Sequence, residues 1–338
     1  MYNLKYNAYE NKIFAGIRAA KWRKFMKYIV EMREGERISD VYLCKNKTVA
    51  KTKAGKTYYS VILQDKSGTI DAKVWDLSAG IDHFEAMDYI KIDADVTSFQ
   101  GALQLNVKRI RRAGEGEYLP SDYLPTSSKD IKVMYGELMQ LINSVKNEYL
   151  GRILKSFFEE DRSFIKEFAA HSAAKSIHHG FVGGLLEHTL SVAKLCDYMS
   201  RNYPALNRDL LITAAIFHDI GKVKELSGFP ENDYTDGGQL LGHIIIGVEM
   251  VGERIRQIEG FPDTLAMELK HCILAHHGEY EYGSPKKPAI IEALALNLAD
   301  NTDAKLQSMT ELLYEGDPMA SWLGFSRLFD SNIRRTEK

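Results

Sequence analysis

Between residues 37 and 112 the apolar positions come in short runs rich in aromatic and β-branched residues. "TYYSVILQD" (57–65) and "TIDAKVWD" (69–76) read as strands, with "DKSG" as the turn between them. "LSAGIDHFEAM" (77–87) reads as a short helical piece. "DYIKIDADVTSF" (88–99) and "LQLNVKRIRR" (103–112) then pair across a tight hairpin at Gln100 and Gly101. With the run from Ser39 to Val49 this predicts five strands and a helix between the third and fourth. After the Gly/Pro/Ser-rich stretch "AGEGEYLPSDYLPTSS" (113–128) the period changes from two to 3.6. "DIKVMYGELMQLINSV" and "GRILKSFFEEDRSFIKEFAA" are amphipathic helical patterns, and helix follows helix to about Tyr314.

Five strands in that order and size suit a small all-β OB-fold barrel. The expected fold class is therefore multidomain, an OB-fold barrel followed by an all-α helical bundle. The expected boundaries are an N-terminal extension (1–30), the barrel (31–113), a linker (114–128), connecting helices (129–170), the main bundle (171–315) and a C-terminal tail (316–338). The chain of 338 residues is long enough for two cores.

Six basic residues and no acid lie between Lys12 and Lys27, among Ile13, Phe14, Ile17, Trp22 and Phe25. They read either as an extension ahead of a natural start at Met26 or as a basic amphipathic helix for RNA or a membrane surface. No apolar run approaches the ~18 residues of a membrane span. Three widely spaced cysteines with no CxxC predict no disulfide and a reducing, cytoplasmic setting.

A formal net charge of -2 gives no global attraction to nucleic acid, so any such signal is local. Lys45, Lys47, Lys51, Lys53 and Lys56 fall between Val41 and Gln64 with no acid among them. Tyr58, Tyr59 and Trp75 stand on the adjoining strands, and Arg109 and Arg111 lie at the end of the last one. Basic residues interleaved with aromatics are how such barrels hold single strands, charge following the backbone and rings stacking on bases. The competing reading is rings in the core and a solvated lysine loop.

Eight of the ten histidines fall between His178 and His277. In "GGLLEHTLSVAKLC", His188 shares a helical face with Leu185, Val192 and Leu195. His218 follows Leu211 and Ala214, with Gly221 as the helix stop. His243 lines up with Leu240 and Ile246, and Asp300 with Ala293 and Leu296. One inward histidine is ordinarily a hydrogen-bonded core residue. Several helices each aiming a His or Asp at the core are satisfied together by metal. Lys222, three residues past Asp219, is expected either to contact a phosphate or a metal-bound water, or to serve the helix dipole. His178 and His179, just upstream of the first ligand helix, are read either as reaching substrate phosphates or as structural residues supporting the ligands. His83 and His271 are not expected in the site.

The order His188, His218-Asp219, Asp300, built around "FHDIGK", resembles the HD-domain metal-dependent phosphohydrolases. "LGHIIIG" and "AHHGEYEYGSP" extend it toward the members that hold two metals. By that resemblance one divalent ion takes His188, His218, Asp219 and Asp300. The other takes His243, His276 and His277, with Asp219 bridging; which histidine of the 276–277 pair ligates stays open. No GYP follows His277, unlike the HD-GYP cyclic-di-GMP phosphodiesterases. His and carboxylate donors suit manganese, iron, cobalt, nickel or zinc better than magnesium.

The OB-plus-HD order from about Met26 to residue 315 resembles the YhaM-type 3′→5′ exoribonucleases. What this implies is a manganese-dependent enzyme; Asp219, and Lys222 on the first of its two readings, are the residues placed in the chemistry. It would shorten single-stranded RNA, and also DNA, to nucleoside 5′-monophosphates, with no membrane partner and homo-oligomers open. The rival readings are an HD phosphohydrolase of free or cyclic nucleotides and a non-enzymatic single-strand-binding factor.

Overall fold

The computed structural model describes residues 26–78, 80–124, 126–127, 129–175, 180–317 and 319–337. The basic stretch before Met26 and the pair His178–His179 lie outside them. Two units separate at Pro125/Thr126.

The first unit is a closed five-stranded barrel with strand order β1-β2-β3-β5-β4. Its strands are β1 (Arg37–Lys51), β2 (Thr57–Asp65), β3 (Gly68–Val74), β4 (Tyr89–Phe99) and β5 (Ala102–Arg112). β1 closes the barrel by serving two partners. Residues 37–43 pair with β4 and residues 43–51 with β2, and a bulge between Cys44 and Asn46 marks the passage. β3 and β5 pair in parallel. This is the OB topology that the strand pattern predicts. Alternation fills the interior: Ile90, Ile92, Ala94 and Val96 of β4 all point inward and are buried. Gln100 (φ 52) and Gly101 (φ 83) turn the β4–β5 hairpin, both at positive φ as a two-residue type I′ turn requires.

The helical reading of 77–87 is not what forms. Among the described residues this segment is an irregular strap. Asp82 N donates to Ile110 O (2.9 Å) and Ile110 N to Gly80 O (2.8 Å), so β5 takes the backbone groups a helix would need. Phe84 drops fully buried into the barrel core. The Gly/Pro-rich run after β5 begins against the barrel. Tyr118 stacks on Tyr89 at 3.8 Å, Tyr123 is buried, and Gln64 donates to Tyr123 O.

The second unit is helical: α1 (Ile131–Ser144), α2 (Glu148–Phe158), α3 (Arg162–Ala170), α4 (Gly184–Asn202), α5 (Arg208–Phe217), α6 (Lys222–Glu225), α7 (Asp236–Arg256), α8 (Asp263–Ala275) and α9 (Ile291–Glu315). A terminal hairpin, β6 (Trp322–Ser326) with β7 (Ser331–Arg334), follows. The run 151–170 is split between α2 and α3, because the Asp161 side chain accepts from Phe164 N and starts a new helix. One core joins α1 to α9 through Leu138, Phe158, Phe217, Leu269 and Leu296. Asn207 caps α5 and Asp130 caps α1 through their side chains. The three cysteines are buried and unpaired. No helix of the described residues is long and apolar enough to cross a membrane.

Candidate metal centre and strand-binding face

Five elements of the bundle converge on one polar cluster inside the apolar core. α4 supplies His188, and the turn after α5 supplies His218 and Asp219. α7 supplies His243, the end of α8 supplies His276 and His277, and α9 supplies Asp300. His218 and His276 are fully buried, Asp219 is 2% exposed and His188 5%. Burial this deep among apolar helices is costly for acids and imidazoles unless something satisfies them together.

The donors fall into two groups. His188, His218 and Asp300 form one, and His243, His276 and His277 the other. In the first, His188 Nε2 lies 3.2 Å from His218 Nε2 and 3.2 Å from Asp300 Oδ1. Asp219 stands between the groups. Its Oδ2 is 3.4 Å from His188 Nε2 and 3.5 Å from His218 Nε2. Its Oδ1 is 3.4 Å from His243 Nε2 and 3.7 Å from His276 Nε2. Each carboxylate oxygen thus faces one set of imidazoles.

The five imidazoles share one orientation. Nδ1 of His218 donates to Ala215 O and that of His276 to Ile273 O, both at 2.7 Å. His277 Nδ1 is 2.9 Å from Tyr282 O, His188 Nδ1 2.7 Å from Asp303 Oδ2, and His243 Nδ1 3.0 Å from Glu225 Oε1. Every Nδ1 meets an acceptor, so the proton sits there and each Nε2 presents a lone pair. The Nε2 atoms of His243 and His276 are buried with no hydrogen-bond partner. Two lone pairs facing each other at 3.2 Å, as in His188 and His218, repel unless a proton or a metal cation lies between them. Donors around a first-row ion at about 2.1 Å are about 3.0–3.4 Å apart, close to the spacings here. The residues therefore fit divalent ions held by nitrogen and carboxylate.

The electrostatics agree. Burial alone lowers the His188 pKa, but Asp219, Asp300 and Asp303 reverse it and hold the ring well above its usual value. The carboxylates thus create a potential that retains a cation. Burial, with His218 and His277 beside it, drives His276 well below the usual range and keeps it a neutral donor. For Asp219, burial opposes ionisation, but Lys222 and His218 outweigh it and keep the group ionised. Lys222 Nζ sits 2.7 Å from Asp219 Oδ2. An open cavity of ≈ 180 Å³ reaches this cluster, lined by Ala173, Ala174, Ala304 and Lys222 together with His188, Asp219, His277 and Asp300.

Two local expectations are corrected. Gly221 does not stop α5, which ends at Phe217; it opens α6, with an ordinary helical φ of -66°. Its lack of a side chain serves close approach instead, since a Cβ there would lie 2.0 Å from His243 O. Nor does His243 share a face with Leu240. Gly242 (φ 73, ψ 159) breaks α7 between them and leaves Leu240 83% exposed. The hydrogen-bonding carboxylates Asp303 and Glu225 were not singled out by the sequence pattern. Asp303 is one turn beyond Asp300 on the same helix face and was visible in principle. Glu225 reaches His243 only because α6 folds back on α7. His271 accepts from Ala289 N and takes no part in the cluster, and His83 belongs to the barrel unit, where it is exposed.

On the barrel, Tyr58 and Trp75 lie together on the outer face of β2 and β3, ring centroids 4.5 Å apart and tilted 30°. Trp75 is 42% exposed. Lys51 ends β1 opposite Thr57, which puts it on the Tyr59 side of the pair rather than the Tyr58 side, and Lys53 is exposed in the following loop. The structure does not bring the other candidates to that face. Tyr59 alternates inward, edge-on to Phe84 at 6.0 Å against the barrel core. Arg109 and Arg111 sit on the β4–β5 pair, opposite Asp93 and Lys91. Arg111 is held by both carboxylate oxygens of Glu117, at 2.6 and 2.7 Å. That hydrogen-bonded pair pulls the Glu117 carboxyl down to about 2.

Residues 185–305 match the HD domain family, whose members are metal-dependent phosphohydrolases. Every donor from His188 to Asp303 lies within that span. Among solved structures, similarity is found to the p204 HINb domain (18% identity, 26% of this chain and 47% of that one, TM-score 0.23). It is also found to the second OB-fold domain of replication protein A from Methanococcus maripaludis (20% identity, 26% and 94%, TM-score 0.20). A third is a replication protein A heterotrimer bound to ssDNA (16% identity, 28% and 70%, TM-score 0.20). The chain spans about half the length of the p204 structure it matches.

Proposed function

We propose that the chain is a cytoplasmic, metal-dependent 3′→5′ exonuclease that shortens single-stranded RNA, and DNA by the same contacts, releasing nucleoside 5′-monophosphates. The observation that carries the hydrolytic reading is the Asp219 carboxylate, with one oxygen toward each group of imidazole lone pairs. Polarity, RNA preference and manganese follow from the resemblance to the YhaM-type enzymes.

His188, His218 and Asp300 would hold one ion and His243, His276 and His277 the other, with Asp219 shared. Two such ions, when bound, lower the pKa of water and neutralise phosphate charge. The chain's own residues do the rest. Lys222 offers an ammonium at the cavity wall for a phosphate oxygen, fixed by Asp219 and kept charged: burial works against it, but the carboxylates of Asp219 and Asp300 raise its pKa. Ala173, Ala174 and Ala304 leave room for a sugar-phosphate beside it. Tyr58 and Trp75 give a sequence-tolerant stacking platform, and Lys51 and Lys53 follow the backbone.

The test uses 5′-labelled single-stranded RNA with purified chain and Mn(II), Mg(II) or EDTA. A Mn(II)-dependent ladder that shortens from the 3′ end is expected, and EDTA abolishes it. Internal cuts, or turnover of free or cyclic nucleotides with an intact oligonucleotide, would sink the reading. Strand binding is tested separately. Trp75→Ala in a cleavage-dead background should weaken oligonucleotide binding about tenfold, since one stacked base is worth about 1–3 kcal/mol. Fluorescence anisotropy measures it. Unchanged affinity would mean the Tyr58–Trp75 pair is only a surface contact.

A further inference from the structure

Three of the five imidazoles in the centre are oriented by backbone carbonyls, of Ala215, Ile273 and Tyr282. The other two are backed by carboxylates, and these two belong to different groups. His188 is backed by Asp303, which the Ser191 hydroxyl also hydrogen-bonds. His243 is backed by Glu225. We infer that Asp303 and Glu225 are positioning residues, each setting the metal affinity of one subsite, so that the two ions are tuned and lost independently. The inference rests on the reading above that the cluster holds two divalent ions.

A carbonyl fixes the tautomer of a ligating imidazole. A carboxylate does that and adds negative charge, which makes the far nitrogen a stronger donor. Asp303 reaches Nδ1 of His188 from the helix that carries Asp300, so one element sets both a ligand and the orienter of another. Its second oxygen is occupied by Ser191, which leaves the carboxylate few ways to turn.

Glu225 uses a different device. Because Gly242 breaks α7, His243 begins a new helical segment, and its N–H lacks the usual intrahelical acceptor. Glu225 Oε1 accepts that N–H at 2.9 Å and the ring Nδ1 at 3.0 Å. One oxygen thus caps the segment and aims its first side chain. The kink at Gly242 is what places backbone and ring of the same residue within reach of one acceptor.

Mn(II) alone, titrated into the EDTA-stripped full chain and followed by calorimetry and electron paramagnetic resonance, tests this without any substrate. The parent is expected to show two binding events. Asp303→Asn should weaken one of them about 10- to 100-fold and leave the other unchanged. Glu225→Gln, which keeps an acceptor oxygen but loses the charge, should weaken the other event. Ser191→Ala should give a smaller loss in the same event as Asp303→Asn, and so serves if that variant folds poorly. Gly242→Ala should mimic Glu225→Gln by moving His243. Thermal melts in EDTA confirm that each variant is folded. The inference is overturned if both carboxylate variants weaken the same event, weaken both alike, or titrate like the parent. A parent that binds no Mn(II) would instead overturn the metal reading beneath it.

Discussion

Asp219→Asn is expected to abolish metal-dependent hydrolysis, a fall of at least about a thousandfold, and to disturb both Mn(II) binding events at once. The substitution changes almost nothing in volume. What it changes is chemistry at two oxygens. Oδ2 faces His188 and His218 and also takes the Lys222 ammonium; Oδ1 faces His243 and His276. An amide has one oxygen and one NH2, so whichever way it turns, one group of imidazole lone pairs faces N–H bonds instead of an oxygen that can share an ion with it. A negative charge also disappears from a site proposed to hold divalent cations, and Lys222 loses its anionic partner. Ions that share a carboxylate supply several kcal/mol of charge stabilisation, and about 4 kcal/mol is a thousandfold in rate. The measurements are the rate of shortening of a labelled strand and the Mn(II) content after dialysis. Activity within tenfold of the parent would remove Asp219 from the shared position.

The contrast with Asp303 and Glu225 is what makes Asp219 informative. Those two are expected to act on one subsite each, through an imidazole. Asp219 touches both directly, so its loss should not divide. If Asp219→Asn weakened one event only, the two groups would be independent sites rather than one centre.

The residues that aim inward from regular helices were legible in the sequence. His188 and Asp300 stand in unbroken stripes, and a 3.6 period reports such positions faithfully. The barrel was legible for the same reason, since β4 alternates strictly over Ile90, Ile92, Ala94 and Val96. What periodicity misread were places where tertiary contacts override local pattern. It aligned His243 with Leu240, blind to the break at Gly242, which matters because Glu225 arrives there from another helix. It made a helix of 77–87, where the backbone bonds of β5 capture the chain. Tyr58 and Tyr59, both candidates for stacking, cannot share a face, because neighbours on a strand point to opposite sides. Arg111 looked available because its partner Glu117 lies in the run after the last strand.

Gly221→Ala should be among the most destabilising single substitutions in the bundle, about 3 kcal/mol or more. The backbone there, φ -66° and ψ -18°, is comfortable for alanine, so no conformational strain is involved. The cost is steric and comes from atoms that cannot rotate away. A Cβ would sit 2.0 Å from His243 O, 2.8 Å from His243 C and 2.7 Å from Gly247 N. Overpacking against side chains costs about 1–3 kcal/mol because they can repack; backbone of a helix can only move as a unit. The movement would be of α7 away from the 218–221 turn, and α7 carries His243. Loss of stability and loss of the second Mn(II) event should therefore appear together. Gly237→Ala is the control. Its Cβ would find nothing nearer than Thr235 Oγ1 at 3.9 Å, so it should be neutral or slightly stabilising, by up to about 1 kcal/mol. Urea denaturation in EDTA, comparing midpoints at equal slope, separates the two. Should Gly221→Ala unfold at the parent midpoint, the α6–α7 contact would not be as close as the structure has it, and the placement of His243 opposite Asp219 would fall with it.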